Sequence, residues 1–367
     1  MRPTHWMLTE VAAEDERGPY RARIAGVGRA LPPARLTTAE LMRSTRHRTR
    51  IDLEHLTGIR ERRVATEDDS LGLAVGAARD CLARAGRRAE DVELLVSCSI
   101  TKYRDGLVHW FEPTTAAAVA RAIGAGRAVT FDVANACAGT LTGVAVANNW
   151  VRRGEVRCAL VVSGERISGL ATNAARHVRS IASRELASLT LGDAGAAVLV
   201  ERAGEGEPGL ALAGFTTVAG HSRLCLAAPA RREPGARMST RARAIHRVAI
   251  ADTPLLLREA LDAAGLEVTD LDHVIPHQTS VRAIRTGMRT VAAALGATPR
   301  NPPVVTVDRY GNTASTTHVV ALVEELDAGR LRAGDRVALV ALASGLEIGV
   351  VLFTVDPCLE ACRAVRP

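Results

Sequence analysis

Long apolar runs, paired cysteines and aromatic side chains are what this chain has least of. No stretch reaches the roughly 18 uncharged apolar residues that a membrane-spanning helix needs. The opening MRPTHWMLTEVAAEDERGPY has no apolar core of the signal-peptide kind. A cytoplasmic protein that engages no membrane is therefore expected. The seven cysteines, at 81, 98, 137, 158, 225, 358 and 362, are odd in number, with no CxxC pair and no histidine cluster at metal-ligand spacing. That pattern argues against a disulfide framework and against a zinc site, so no metal is expected. Aromatic residues are 3% of the chain, too few for base-stacking platforms, so the net charge of +7 does not point to nucleic acid. A basic surface suits an acidic carrier protein or a nucleotide-bearing thioester equally well.

What is present is a chain of 367 residues, 47% hydrophobic, enough for two domains or for one built from two halves. Residues 1–20 are polar without periodicity and read as an N-terminal extension, mobile or partner-contacting. From Arg21 short apolar runs alternate with Ala-rich helical patterns: RIAGVGRAL, the helix SLGLAVGAARDCLARAG, the strand VELLVSCSI, a helix from EPTTAAAVARAIG, the strand AVTFDVA, then the helix GTLTGVAVANNWVRRG and the strands CALVVSGE and AGAAVLVE. The charged, Gly-rich link RAGEGEPG places a boundary near Gly204, giving halves 21–203 and 204–367. The rhythm then repeats: helix VAIADTPLLLREALDAAG, strand HVIPH, helix VRAIRTGMRTVAAALG, strand VVTV, helix TASTTHVVALVEELDAG, and closing strands VALVALA and IGVVLFTV. Two similar α/β halves with buried, helix-covered strands are expected.

In such sheets ligands bind beyond the carboxyl ends of strands. Three strand ends carry reactive side chains. In VTFDVANACAGTLTG, Cys137 sits past a strand and at the start of a helix of small residues, where the helix dipole favours thiolate. HVIPHQTS places His277 past its strand, and VVTVDRYGNTAST places Asn312 past another. A thiolate attacks a thioester carbonyl, while an imidazole and an amide donate hydrogen bonds to the oxygen that becomes negative. Gly311 and Ala314 are expected to leave room for a substrate. Each residue alone has an ordinary structural explanation, a buried small thiol or a turn-capping polar group. The coincidence of the three is what carries chemistry.

At these residues the sequence resembles the thiolase-superfamily condensing enzymes, and within them the β-ketoacyl-ACP synthase III family. The resemblance runs from about Arg21 to Val355 through TGIRERRVA (57–65), DVANACAG (132–139), LGDAGAAVL (191–199), HQTS (277–280), GNTAS (311–315) and SGLEIG (344–349). It implies a five-layered αβαβα fold, a homodimer, Cys137 as acyl-accepting nucleophile, and His277 with Asn312 stabilising the enolate of a second substrate. The backbone N–H groups of Cys137 and Ser344 would form an oxyanion hole. No bound cofactor is implied; the acyl donor would be a phosphopantetheine thioester of acyl carrier protein or a coenzyme A thioester.

Two departures refine this. Family members that prime with coenzyme A carry Trp and Arg just before the TGI segment, where this chain reads IDLEHLTGI. That favours a carrier-protein donor. Arg237, Arg241, Arg243 and Arg247 are candidates for its phosphate or its acidic surface, against the plain alternative of a solvated helix face. Glu112, ahead of Pro113, fits the first turn of a helix. The EPxTA stretch also resembles the branch that condenses two acyl chains head to head, in which this Glu acts as base in the partner subunit. A malonyl thioester makes its carbanion by losing carbon dioxide, whereas an unactivated acyl thioester needs a base for its α-proton. The leading expectation is a 3-oxoacyl synthase performing Claisen condensation. The alternatives are an acyltransferase to oxygen or nitrogen on the same fold and a non-catalytic subunit, which would be expected to lack the nucleophile.

Overall fold

The computed structural model describes residues 6–8 and 18–364 apart from 48, 106 and 232. Ten strands form two five-stranded sheets. In chain order they are β1 (Trp6–Leu8), β2 (Ala22–Ala30), β3 (Leu94–Ser97), β4 (Val129–Asp132), β5 (Cys158–Glu165), β6 (Ala194–Arg202), β7 (Leu210–Thr217), β8 (His273–Pro276), β9 (Arg336–Ala343) and β10 (Glu347–Thr354). The first sheet runs β2-β6-β5-β3-β4 and the second β1-β7-β10-β9-β8. In the first, β3 pairs in parallel with β4 and β5; in the second, β8 pairs in parallel with β9, and the other pairs are antiparallel.

The longer helices are α1 (Ser70–Ala85), α2 (Thr115–Ile123), α3 (Gly139–Arg152), α4 (Gly169–His177), α5 (Ala242–Ala264), α6 (Val281–Leu295) and α7 (Thr317–Asp327), and all but α4 cover the sheets. Alternate strand residues point to opposite faces, and both faces are apolar here. Leu94, Val96, Val161 and Val198 meet Leu141 and Val144 of α3 and Leu322 and Val323 of α7 in one central core, which Leu339 and Val351 close from the second sheet. Leu95, Leu160 and Leu199 face the other way, onto α1 and α2. Val274, Val340 and Val350 face Leu256, Leu261 and Val291 of α5 and α6. The result is five layers, α1 and α2, sheet, α3 and α7, sheet, α5 and α6. Close approach of α1 to the first sheet depends on Gly164, where a Cβ would lie 1.9 Å from the Ser70 carbonyl oxygen.

Three expectations are corrected. The N-terminal extension contributes β1, paired antiparallel with β7, which gives three of its residues an ordered place in the second sheet; residues 1–5 and 9–17 lie outside the described residues. The helix expected from Glu112 begins at Thr115 with Thr114 as its cap, the Thr114 hydroxyl accepting the Ala117 N–H, so Glu112 precedes the helix. The run VVTV forms no strand. Pro302 and Pro303 remove two donors just ahead of it, and only one backbone bond, Val304 N–H to the Val274 carbonyl (3.0 Å), ties it to β8.

Candidate active site

Past β4 the chain makes a single 3₁₀ turn, Ala136–Ala138, before α3. Asp132 fixes the strand end by accepting the Thr115 and Ala116 N–H groups (3.1 and 2.9 Å) and pairing with Lys102 (2.6 Å). Ala136 holds φ +43°, a left-handed conformation that costs an L-residue roughly 1–2 kcal/mol. Gly139 follows because a Cβ there would lie 2.9 Å from the Cys98 carbonyl oxygen. Cys137 is half-buried and packs against Ile167, Leu170, Leu191 and Ala314, with Ala236 and Met238 on the same cluster. Burial first, then Cys225 and the Glu165 carboxylate, pushes its thiol up to about 12. The expectation of a dipole-stabilised resting thiolate is thereby corrected: desolvation outweighs the helix terminus.

His277 follows β8, its N–H donating to the Val340 carbonyl (2.8 Å). The ring is buried, and burial together with neighbouring His318 brings it down to about 3, so the imidazole is neutral. Gln278 supplies what the missing strand does not. Its Nε2 donates to the Pro276 and Val304 carbonyls (2.8 and 3.0 Å), and its Oε1 accepts the Thr306 and Val307 N–H groups (2.8 and 3.1 Å). One buried side chain thus replaces a strand ladder in the segment leading to Asn312.

Asn312 is locked by backbone on both sides, its N–H donating to Thr190 O (2.8 Å) and its carbonyl accepting the Gly192 N–H (3.1 Å). Its Oδ1 accepts the Ala314 N–H (2.9 Å), so the amide is oriented with Nδ2 left to donate. Gly311, at φ +67°, is required by close packing: a Cβ would lie 2.7 Å from Thr190 O and 3.1 Å from Arg62 Cβ. The expectation that it makes room for substrate is corrected, while Ala314 does lie in the cluster around Cys137. The Cys137 turn packs on residues 314–316 and on β9 and β10. Ser344 lies in the short turn joining β9 to β10. Cys137 thus shares a cluster with Ala314, two residues past Asn312, its turn packs on β9, which Ser344 follows, and His277 is anchored to β9.

The remaining candidates lie elsewhere. Glu112 is solvent-exposed beside Phe111, which is 82% exposed. Arg237 pairs with Glu185; Arg241, Arg243 and Arg247 are exposed at the start of α5. A groove of about 320 Å³ between the His55–Gly58 turn and α6 carries Arg282, Arg285 and Arg289, which sequence reading missed although VRAIRTGMR places them on one helical face. Two further buried polar residues were also missed. Glu165 accepts the Ile100 and Thr101 N–H groups (2.8 and 3.1 Å) and the Ser315 hydroxyl, and Asp193 accepts the Ala65, Ile167 and Ser168 N–H groups (2.8, 2.7 and 2.7 Å). Their signal was a carboxylate at the end of an apolar strand, Glu165 closing β5 and Asp193 standing just ahead of β6. Among the described residues no cluster could hold a metal ion, and no helix is long and apolar enough to cross a membrane.

Known proteins resemble the chain over most of its length. Residues 131–218 match the family 3-oxoacyl-[acyl-carrier-protein (ACP)] synthase III, and residues 261–355 match its C-terminal part. β-Ketoacyl-[acyl-carrier-protein] synthase III of Symbiobacterium thermophilum is 34% identical over 345 residues, covering 89% of this chain and 96% of that protein. The protein of the same name from Rhodospirillum centenum is 30% identical, covering 91% and 99%. Among solved structures, 3-oxoacyl-[acyl-carrier-protein] synthase III from Aquifex aeolicus superposes with a TM-score of 0.77 at 25% identity, covering 91% of this chain and 100% of that one. Xanthomonas campestris OleA, in a form with bound lauric acid and lauroyl-CoA, gives 0.78 at 26%, covering 91% and 99%. The chain belongs to the β-ketoacyl-[acyl-carrier-protein] synthase III family of thiolase-superfamily condensing enzymes, acyltransferases that perform acyl-thioester Claisen condensation.

Proposed function

We propose that Cys137 takes the acyl group from one thioester, that His277 and Asn312 stabilise the enolate of a second, and that the Cys137 and Ser344 N–H groups hold the oxyanion of the acyl-transfer steps. The observation that carries this reading is the oriented Asn312 amide: with Oδ1 satisfied by Ala314, Nδ2 is the group presented to an oxygen acquiring charge. A neutral His277 complements it, since burial disfavours the charged form of its ring. Transfer to a hydroxyl or amine would make no enolate and gives this pair no task.

The second thioester is proposed to be an unactivated acyl thioester whose α-proton is removed by the partner subunit's Glu112. Glu112 is exposed on its own chain, next to exposed Val108, Trp110 and Phe111, and just ahead of α2 beside the open edge strand β4. Apolar exposure of this kind supports a homodimer that covers it. The donor is proposed to arrive on a carrier-protein phosphopantetheine, its phosphate and the acidic carrier meeting Arg282, Arg285 and Arg289; Arg237, Arg241, Arg243 and Arg247 are a second basic surface for the same partner. OleA holding lauroyl-CoA supports coenzyme A as the other source of the same group. The setting is cytoplasmic fatty-acid or polyketide-type metabolism, with 21–203 and 204–367 as the two halves.

The test is intact-protein mass spectrometry with an acyl thioester, followed by product analysis with and without a malonyl thioester. An acyl adduct on wild type but not on Cys137→Ala is expected, with product formed without malonate and lost in Glu112→Gln. Product only with malonate overturns the role of Glu112; an adduct on the Cys137→Ala variant overturns the nucleophile.

A further inference from the structure

One backbone carbonyl holds two parts of the site together. The Val340 oxygen on β9 accepts the N–H of His277 (2.8 Å) and also the Nε2–H of His318 (3.0 Å). Because the acceptor is a carbonyl, His318 must carry its proton on Nε2. His318 is fully buried in the first turn of α7, six residues after Asn312 and continuous with its loop. The two imidazoles lie 5.7 Å apart between centroids, tilted by 35°. Among the described residues the His277 Nδ1 is buried with no hydrogen-bond partner. The ring is thus placed by its backbone anchor and by packing, with His318 the aromatic group against it. Burying a second polar ring here costs free energy unless it does something, and an apolar side chain would fill the same space on a helix whose next residues are all core.

We propose that His318 is a positioning residue for the condensation step: it ties α7, and with it the Asn312 loop, to the carbonyl that holds His277, so that imidazole and amide face one oxygen together. This rests on the reading of His277 and Asn312 as the enolate-stabilising pair. After burial, His318 is the cause that disfavours charge on the His277 ring. Cys137 shares β9 and residues 314–316 with this tie but is placed by its own turn ahead of α3, so acylation is expected to depend on His318 far less than condensation does.

The test compares His318→Leu with His318→Gln, whose amide can still donate to Val340, and follows Cys137 acylation by mass spectrometry separately from condensation turnover. In His318→Leu, acylation stays within about twofold, while kcat for condensation falls about tenfold or more with KM little changed, as expected for a misplaced group acting in the transition state. The acid limb of its kcat profile moves to higher pH, because His277 has lost the neighbour that opposes its protonation. His318→Gln recovers most of kcat and keeps the moved acid limb. Unchanged kcat and pH profile in His318→Leu overturns the proposal. So does equal loss of acylation and condensation in both variants, which marks a packing role alone. If wild type condenses and His277→Ala condenses as well, it is the underlying reading of His277 that fails, a result visible without any His318 variant.

Discussion

At Cys137 two effects of opposite sign meet, and their magnitudes decide the resting state. A helix N-terminus stabilises a negative charge by roughly 0.3–1 kcal/mol. Moving the thiol from 9.0 to about 12 corresponds to about 4 kcal/mol against the thiolate. The thiol is therefore the resting form, and inactivation by iodoacetamide is expected to rise about tenfold per pH unit from pH 7 to 9; a plateau below pH 8 would contradict it. The sequence made the position of Cys137 legible, because a strand end followed by small helical residues can be read by pattern. Its protonation was not legible, since it depends on Ile167, Leu170, Leu191 and Met238, which arrive from other parts of the chain. Asn312 yields a complementary prediction. Asn312→Ala removes the oriented donor while leaving the Cys137 cluster intact, so condensation is expected to fall by about 10²–10³-fold with the acyl-enzyme still forming and accumulating. Loss of the acyl-enzyme itself would show that Asn312 serves the first half-reaction instead.

The segment between α6 and α7 shows how a side chain can stand in for secondary structure. Periodicity and β-branched content made VVTV read as a strand, as they did correctly for the runs now seen as β5, β6, β9 and β10. The prolines at 302 and 303 were the contrary signal. What no local pattern announces is that Gln278, 26 residues before Val304, makes four hydrogen bonds to the backbone on either side of the gap. Gln278→Ala leaves several buried donors and acceptors unpaired, each worth roughly 1–3 kcal/mol. The variant is expected to lose at least about 3 kcal/mol in urea unfolding and to lose condensation as the Asn312 segment loosens. A loss under about 1 kcal/mol would mean that the segment is held by its apolar contacts, Val304 in the central core and Val307 against Ile59 and Ile284.

Across the whole molecule, five packed layers bury apolar side chains between the sheets, and the site is built where polar groups must enter that interior. The two-half alternation was legible because both faces of each sheet are covered, which gives near-continuous apolar strands. The antiparallel return of β10 and β6 to β7 and β2 is set by tertiary packing and cannot be read from any one segment. Burying an imidazole pair in such an interior has a consequence for stability. His277 and His318 have an ordinary value of 6.5 and stand at about 3 and about 4 in the folded protein. Both are neutral when folded, so below pH 6.5 the unfolded chain takes up protons that the folded one refuses. Stability is then fully present above about pH 6.5 and is lost as pH falls toward 4, by on the order of 2 kcal/mol per histidine at pH 5. The thermal midpoint of wild type is expected to drop more steeply between pH 7 and 5 than that of a His277→Asn, His318→Gln double variant, in which neither ring can charge. Parallel curves for the two proteins would show that acid destabilisation comes from groups elsewhere, and that these two imidazoles reach water more readily than their burial implies.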